Sequence, residues 1–393
     1  MSFVPSANIA QLKPSATIAV AAKSRALKAA GRQIIDLGAG EPDFITPTFI
    51  RDAAKAALDA GATKYTNTEG ILPLREAIAA NANAVRAPHL PVITPADIVV
   101  SNGSKQSLFN TCMAVFGPGD EVLIPVPSWT SYFEMVGLAR ATVAPVPTDP
   151  ARGFKVSADD LRRHATGATK GVMLNSPNNP TGSVYSADEL RALFELAEER
   201  GWWMITDEIY LRIVYGAAAT SGLQVAPSMQ RVVVIDGVAK AYAMTGWRIG
   251  WTISPAPLAS AMNAFQSHTT SNAATVSQYA ALAALTQTAQ ADREIATMVS
   301  AFKARRDAAM AILGAEPGLR VIPPEGAFYL YVEAPNADGA AFADRLLDGH
   351  NVAVVPGAAF ATPGWIRMSY AASMDEVVAG ATAILTAYRE LRA

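Results

Sequence analysis

A chain of 393 residues with 32 basic and 34 acidic side chains, formal net charge -2, is long enough for more than one core and has no surplus charge for gripping nucleic acid or an anionic membrane. One cysteine, Cys112, excludes an internal disulfide, and the four histidines, His89, His164, His268 and His350, lie too far apart for metal-ligand spacing. No apolar run nears the ~18 residues of a membrane span and MSFVPSANIA does not read as a secretory signal, so cytoplasmic residence is expected.

The chain begins with KPSATIAV (13–20) and reaches GAGEPDF (38–44), which offers two glycines and then a proline turn where a dinucleotide site would need GxGxxG. From about residue 95 to 250, β-rich runs alternate with helix-period segments: DIVVS (97–101), EVLIPV (121–126), GVMLN (171–175), WWMIT (202–206) and RVVVID (231–236). That alternation predicts an α/β fold, a mixed and mostly parallel sheet covered by helices on both faces. Cys112, in LFNTCMAVF, reads as a small apolar residue on the inner side of a helix. Ser186 to Glu189 form a capping box that opens a helix through Arg200, and Gly201 ends it.

Beyond about residue 290 the pattern changes to a long charged helix (DREIATMVSAFKARRDAAMAIL), a strand AFYLYVE, a helix, a short strand VAVVP and a strand WIRMSYA. A last helix opens at the capping box Ser373 to Glu376. The expected division is an N-terminal segment, 1–45, joining a small domain of 290–393, with a large domain of 46–289 between them. No low-complexity linker separates these parts, so tight packing is expected.

In open α/β sheets, ligands bind beyond the carboxyl ends of the strands, so the residues that follow each strand are the informative ones. After DIVVS, Gly103, Ser104 and Lys105 open a helix whose N-terminus could cradle an anion, although capping by Ser104 explains the pattern equally well. Trp129 follows EVLIPV, Asn179 lies in SPNNPTG after GVMLN, and Asp207 and Tyr210 follow WWMIT. Each has an ordinary explanation alone: core packing, turn formation, a solvated strand end. After RVVVID, Lys240 stands eight residues before Arg248. Together these groups suit one cofactor, pyridoxal 5'-phosphate, which combines a phosphate, a flat ring with a phenolic oxygen and a basic nitrogen, and an imine-forming aldehyde.

The chain resembles the class I aminotransferases of the fold-type I pyridoxal-phosphate superfamily, most closely the bacterial aspartate aminotransferases of the Iγ subgroup. The resemblance runs through KPSATIAV, GAGEPDF, KYTNTEGILPLREAI (64–78), SKQSLFN (104–110), NSPNNPTG (175–182), DEIY (207–210), AKAYAMTGWRIG (239–250), EGAFY (325–329) and IRMSYA (366–371). It implies that Lys240 links to the cofactor aldehyde and serves as the base, with Asp207 on the ring nitrogen and Asn179 and Tyr210 on the phenolic oxygen. Trp129 would cover the ring, and Gly103, Ser104, Lys105 and Arg248 would hold the phosphate. Tyr65 would reach the cofactor of a neighbouring subunit, which implies a homodimer with shared sites. Arg367 would clamp the substrate α-carboxylate, with Asn179 and the backbone near Gly40 assisting. Lys13, Ser15, Thr17 and Lys105 would recognise a distal carboxylate, which favours aspartate as donor and 2-oxoglutarate as acceptor. Surface placement of the lysines, with capping by Ser15 and Thr17, is the plainer explanation of that cluster, and it leaves aromatic, alanine-type or prephenate transamination open. Many relatives carry a hydroxyl residue just before the lysine, where this chain has Ala239, so one phosphate hydrogen bond is missing from the pattern. A fold-type I lyase would share Lys240 and Asp207, and only its products would separate it from a transaminase. A pyridoxal-phosphate-sensing regulator would be expected to add a DNA-binding domain and a basic surface.

Overall fold

A computed structural model describes residues 3–392 apart from Asn8, Gln11, Lys13 and Ser15; the side chains of Ala16, Thr17 and Ile18 are also outside it. Three of the four residues expected at a distal carboxylate therefore lie outside the described residues: Lys13, Ser15 and the side chain of Thr17.

In chain order the strands are β1 (Ile35–Asp36), β2 (Ile98–Ser101), β3 (Glu121–Val126), β4 (Thr142–Pro147), β5 (Thr169–Asn175), β6 (Trp203–Asp207), β7 (Val232–Gly237), β8 (Gly250–Ile253), β9 (Val321–Ile322), β10 (Tyr329–Glu333), β11 (Val352–Ala353), β12 (Val355–Pro356) and β13 (Trp365–Ser369). Seven form one sheet in the order β2-β8-β7-β6-β5-β3-β4, in which only β8 runs against its neighbours. Alternate residues of these strands enter opposite cores. Ile98, Val100, Val172, Leu174, Met204, Val232 and Val234 pack with Leu74, Ile78, Leu190 and Phe194 of the helices Leu72–Val85 and Ala187–Arg200. Val99, Val122, Ile124, Met173, Ile205, Val233 and Ile235 pack with Leu108, Cys112, Val136 and Met262 of the helices Ser104–Val115, Thr130–Leu138 and Ala256–Ser267. The two-residue period of a strand thus places helices on both faces, as the alternation in the sequence predicts.

The five strands read from the sequence all lie in this sheet, and it contains two more. β4 sits at the edge and carries Pro145 and Pro147, which an edge position tolerates. β8 is only four residues long and begins at the glycine of WRIG without a turn signal.

A four-stranded antiparallel sheet, β12-β13-β10-β9, forms the second layer system. The run VAVVP, expected as one strand, divides at Val354: β11 pairs in parallel with β1, and β12 pairs with β13. The N-terminal segment is thereby stitched to the C-terminal part of the chain. The helix Thr288–Leu313 joins the two systems, sending Ala291 and Ile295 into the first core and Met298, Phe302, Ala309 and Leu313 into the second. Both capping boxes form, with Ser186 accepting from the Glu189 N–H and Ser373 from the Glu376 N–H, and Gly201 closes its helix at φ 65°. Among the described residues no helix is long and apolar enough to cross a membrane.

Phe302 is fully buried, edge-on to Phe44 at 5.6 Å and tilted against Phe328 at 5.4 Å. Phe302→Ala should cost about 3–5 kcal/mol, seen as a lower urea midpoint at unchanged slope. A loss under about 1 kcal/mol would mean that this core collapses around the deletion.

Candidate active site

A cavity of about 560 Å³ lies beyond the carboxyl ends of β2, β3, β5, β6 and β7. Its wall includes Ser104, Lys105, Trp129, Asn179, Asp207, Tyr210, Lys240, Arg248 and Arg367, with Gly40 from the N-terminal segment. Two other clefts, of about 690 and 720 Å³, are larger but carry less chemistry. The cations of the first, Arg152 and Lys155, are already paired with Asp160 and Glu189.

At one end of the cavity the helix Ser104–Val115 begins. Its N-cap is Gly103, and no side chain caps it, so capping by Ser104 is set aside. The Ser104 hydroxyl instead donates to the Asp236 carbonyl at 2.9 Å. The backbone N–H groups of Ser104 and Lys105 find no acceptor among the described residues, as the first turn of a helix requires unless a ligand supplies one. Gly103 has φ 83°, and a Cβ there would collide with the Arg248 guanidinium. At Gly237 a Cβ would sit 2.6 Å from the Ser104 hydroxyl. Arg248 itself holds a left-handed φ of 57°, donating to Thr245 O at 2.9 Å and Asn102 O at 3.3 Å. Lys105 lies over the Trp129 ring at 4.7 Å, and partial burial, together with the Arg248 charge, lowers its ammonium from the ordinary lysine range.

The buried end is built on β6. Asp207 is 4% exposed; its Oδ2 accepts from the Tyr132 hydroxyl at 2.7 Å and its Oδ1 from the Ile209 N–H at 3.2 Å. Burial raises its carboxyl to about 6, against the lowering effects of the Tyr132 bond, the Ile209 N–H and the Lys240 charge. Lys240 donates to the Gly40 carbonyl and lies 5.8 Å from the Tyr210 ring centre. Burial lowers its ammonium to about 8; the Glu41 carboxylate opposes this, and the Arg367 and Arg248 charges add to it. Tyr210 and Tyr329 share a hydrogen bond of 2.9 Å.

Arg367, on β13, is 1% exposed and lies over Tyr329 at 4.3 Å. Its Nη1 donates to Asn179 Oδ1 at 2.9 Å and its Nη2 to the Gly38 carbonyl at 2.8 Å, while its Nε has no partner. Gly38 thus meets this arginine, while Gly40, in the same cavity wall, meets Lys240. Tyr65 stands apart from the cavity wall, 91% exposed.

Sequence reasoning passed over Tyr132, Tyr329 and Asn175. Asn175 donates to the Asp207 carbonyl through Nδ2 and accepts from the Asn179 N–H through Oδ1, both at 2.8 Å, tying the SPNNPTG loop to β6. The signals existed: Tyr132 lies three residues past Trp129 at a helix start, and Asn175 and Tyr329 fall inside NSPNNPTG and EGAFY. The assembled groups suit pyridoxal phosphate: unaccepted N–H donors and Arg248 for a phosphate, a buried carboxylate for a cationic ring nitrogen, and a lysine whose amine form is favoured for an aldehyde. Among the described residues no group of His, Cys, Asp and Glu is placed to hold a metal ion.

The family model described as aminotransferase class I and II matches residues 32–384. An aspartate aminotransferase of Thermotoga maritima is 41% identical over 372 residues, covering 95% of this chain and 96% of that protein. An aspartate/prephenate aminotransferase of Cereibacter sphaeroides is 42% identical over 406 residues, covering 99% of each. Among solved structures, the aspartate aminotransferase of Thermus thermophilus with maleate matches with a TM-score of 0.94 at 39% identity, over 98% of this chain and 100% of that one.

In the cofactor-free protein, acylation of Lys240 should be half-maximal near pH 8, well below the 10.5 of an ordinary lysine. Glu41→Gln removes the charge that favours the ammonium, so its midpoint should fall further. Between about 8 and 10.5 the unfolded chain holds more protons at this lysine than the folded one, so its contribution to stability rises with pH there. A Lys240 midpoint near 10.5 in peptide-resolved labelling would contradict the burial argument.

Proposed function

We infer the reaction from one premise: the chain belongs to the class I and II aminotransferase family. It is a pyridoxal-phosphate-dependent aminotransferase. We propose that it moves the amino group of an L-amino acid, with aspartate the preferred donor, to 2-oxoglutarate. The observation that carries the substrate reading is the buried Arg367 guanidinium with its unpartnered Nε, in a cavity that also holds the Lys105 ammonium. Two cations suit a substrate with two carboxylates. The names of the Thermotoga maritima and Thermus thermophilus relatives support the same choice.

Bound pyridoxal phosphate supplies an aldehyde that links to amines and a ring that takes up the electron pair left when a proton leaves Cα. The chain's own residues do the rest. Arg367 binds the α-carboxylate through Nε and the free side of its fork, with Asn179 keeping the guanidinium in place. Lys240, its ammonium weakened by burial, would take the Cα proton on Nζ as the base and give it back as the acid. Asp207, fixed by Tyr132 and the Ile209 N–H, would hold the ring nitrogen and keep it protonated. Tyr210 and Nδ2 of Asn179 would donate to the phenolic oxygen, and Trp129 would cover the ring. Ser104, Lys105 and Arg248 would hold the phosphate, with Gly103 leaving room for the Arg248 guanidinium and Tyr65 of the partner subunit completing the set in a homodimer. Lys105 also serves the distal carboxylate.

Prephenate is the second reading. It too is a dicarboxylic 2-oxo acid, and the Cereibacter sphaeroides relative carries it in its name.

The test is a half-reaction screen in which single L-amino acids are mixed with the loaded protein and the cofactor absorbance is followed. Aspartate and glutamate should react at least ~10-fold faster than alanine or phenylalanine; equal rates would sink the dicarboxylate reading. Lys105→Ala, compared at equal cofactor occupancy, should slow aspartate by roughly 10- to 100-fold and phenylalanine little. Lys240→Ala should lose turnover by several orders of magnitude, because the covalent link and the base disappear together.

A further inference from the structure

The segment 64–71 combines two properties that rarely occur together. Its Tyr65 side chain is 91% exposed, yet the backbone on either side of it is held at the Lys64, Thr68 and Glu69 carbonyls and at the Gly70 and Ile71 N–H groups. Thr275 donates to the Lys64 carbonyl at 2.7 Å. Gln278, with no exposed surface, accepts from the Ile71 N–H at 2.8 Å and donates to Thr66 Oγ1 at 3.1 Å and to Ala273 O at 2.8 Å. Gln266, equally buried, donates to Thr68 O at 2.8 Å and Val100 O at 2.9 Å, and accepts from Ser101 and Asn110 at 2.9 Å. The Val100 N–H donates to Glu69 O at 3.0 Å, so the segment lies along β2. Gly70, at φ 101°, makes that approach possible, since a Cβ there would stand 2.8 Å from Val100 Cβ.

A surface loop can satisfy its backbone with water at little cost, so two buried amides are not needed to keep it soluble. Both amides use both donor hydrogens, Gln266 accepts twice and Gln278 once, and such a network fixes shape. The shape fixed is one that holds a large aromatic side chain out in solvent, where it makes no contact of its own. Ordering the backbone beforehand lowers the entropy lost when that side chain is later bound.

We propose that Gln278 and Gln266 are positioning residues that hold segment 64–71 preformed, so that Tyr65 is presented to the cofactor phosphate in the partner subunit; this rests on the shared-site homodimer proposed above. Gln278 acts on the other subunit's site and not on its own, whereas Gln266 also braces β2 and the helix Ser104–Val115 of its own subunit.

Hybrid dimers separate these possibilities. One subunit carries Lys240→Ala, so that only the site built on the other subunit's Lys240 is intact, and the readout is the rate at which pyridoxal phosphate leaves that site. With Gln278→Met added to the Lys240→Ala subunit, whose loop serves the intact site, release should quicken by about 10-fold, the scale of one lost bond to a charged group, matching Tyr65→Phe in the same subunit. With Gln278→Met in the subunit that owns the intact site, release should match the control. Thr275→Val, a half-buried substitution that leaves the core untouched, should give a smaller loss in the same arrangement and covers the case in which Gln278→Met does not fold. Loss on the owning side, or none on the serving side while Tyr65→Phe does quicken release there, overturns the positioning role. If Tyr65→Phe on the serving side has no effect, the shared-site reading falls and takes the proposal with it.

Discussion

A guanidinium removed from water is the constraint around which this molecule is arranged. Arg367 rises from β13 of the second sheet, donates to Asn179 beyond β5 of the first, and donates again to Gly38 in the N-terminal segment. Three distant stretches of chain therefore meet on one side chain. Burying such a charge costs several kcal/mol unless its donors are met, and here one, Nε, is left open. The stacking over Tyr329 at 4.3 Å and Phe360 at 5.1 Å holds the plane of the group without meeting that donor. The charge also reaches Lys240, adding to the burial that favours its amine form. The GAGEPDF segment is the common support, since Gly38 and Gly40 each offer a carbonyl to one of these cations. It is anchored in turn by a two-pronged pair between Asp43 and Arg305, both contacts at 2.8 Å, and by Phe44 against Phe302.

The same dry environment works on three neighbouring ionisable groups. Asp207 is raised to about 6 and Glu208 to about 7, in each case mainly by burial, while Lys240 is lowered to about 8. Glu208 serves the fold, accepting from the Gly222 N–H at 2.7 Å and from Thr206 at 3.3 Å and so tying the end of β6 to the helix start at Gly222. Asp207, one residue away on the opposite side of the strand, is free of such duties except for Tyr132 and the Ile209 N–H. Adjacent carboxylates at a strand end, Asp207 within it and Glu208 just beyond, thus divide between facing the cavity and holding the fold.

Much of this was legible in the sequence because it depends on local order. Strand ends followed by Ser104, Asn179, Asp207 and Lys240 gather at one edge whenever the sheet is parallel, and capping boxes at Ser186 and Ser373 fix helix starts without tertiary help. What escaped depends on long-range register. β8 runs antiparallel between β2 and β7, which no pattern within GWTI reveals, and β4 is disguised by its prolines. The link from Arg367 to Gly38 spans 329 positions and could not be read from either motif. Tyr132 was missed because an aromatic one turn into a helix is ordinarily core; only the position of Asp207 beside it makes its hydroxyl informative.

The central claim, that the open donor of Arg367 exists to receive a carboxylate, is tested most directly by calorimetric binding of maleate to the cofactor-loaded protein and to its Arg367→Met variant. Wild type should bind maleate at least ~100-fold more tightly than the variant, the scale expected for losing a charge-assisted, two-pronged contact. Equal affinities in two folded, fully loaded proteins would contradict the account.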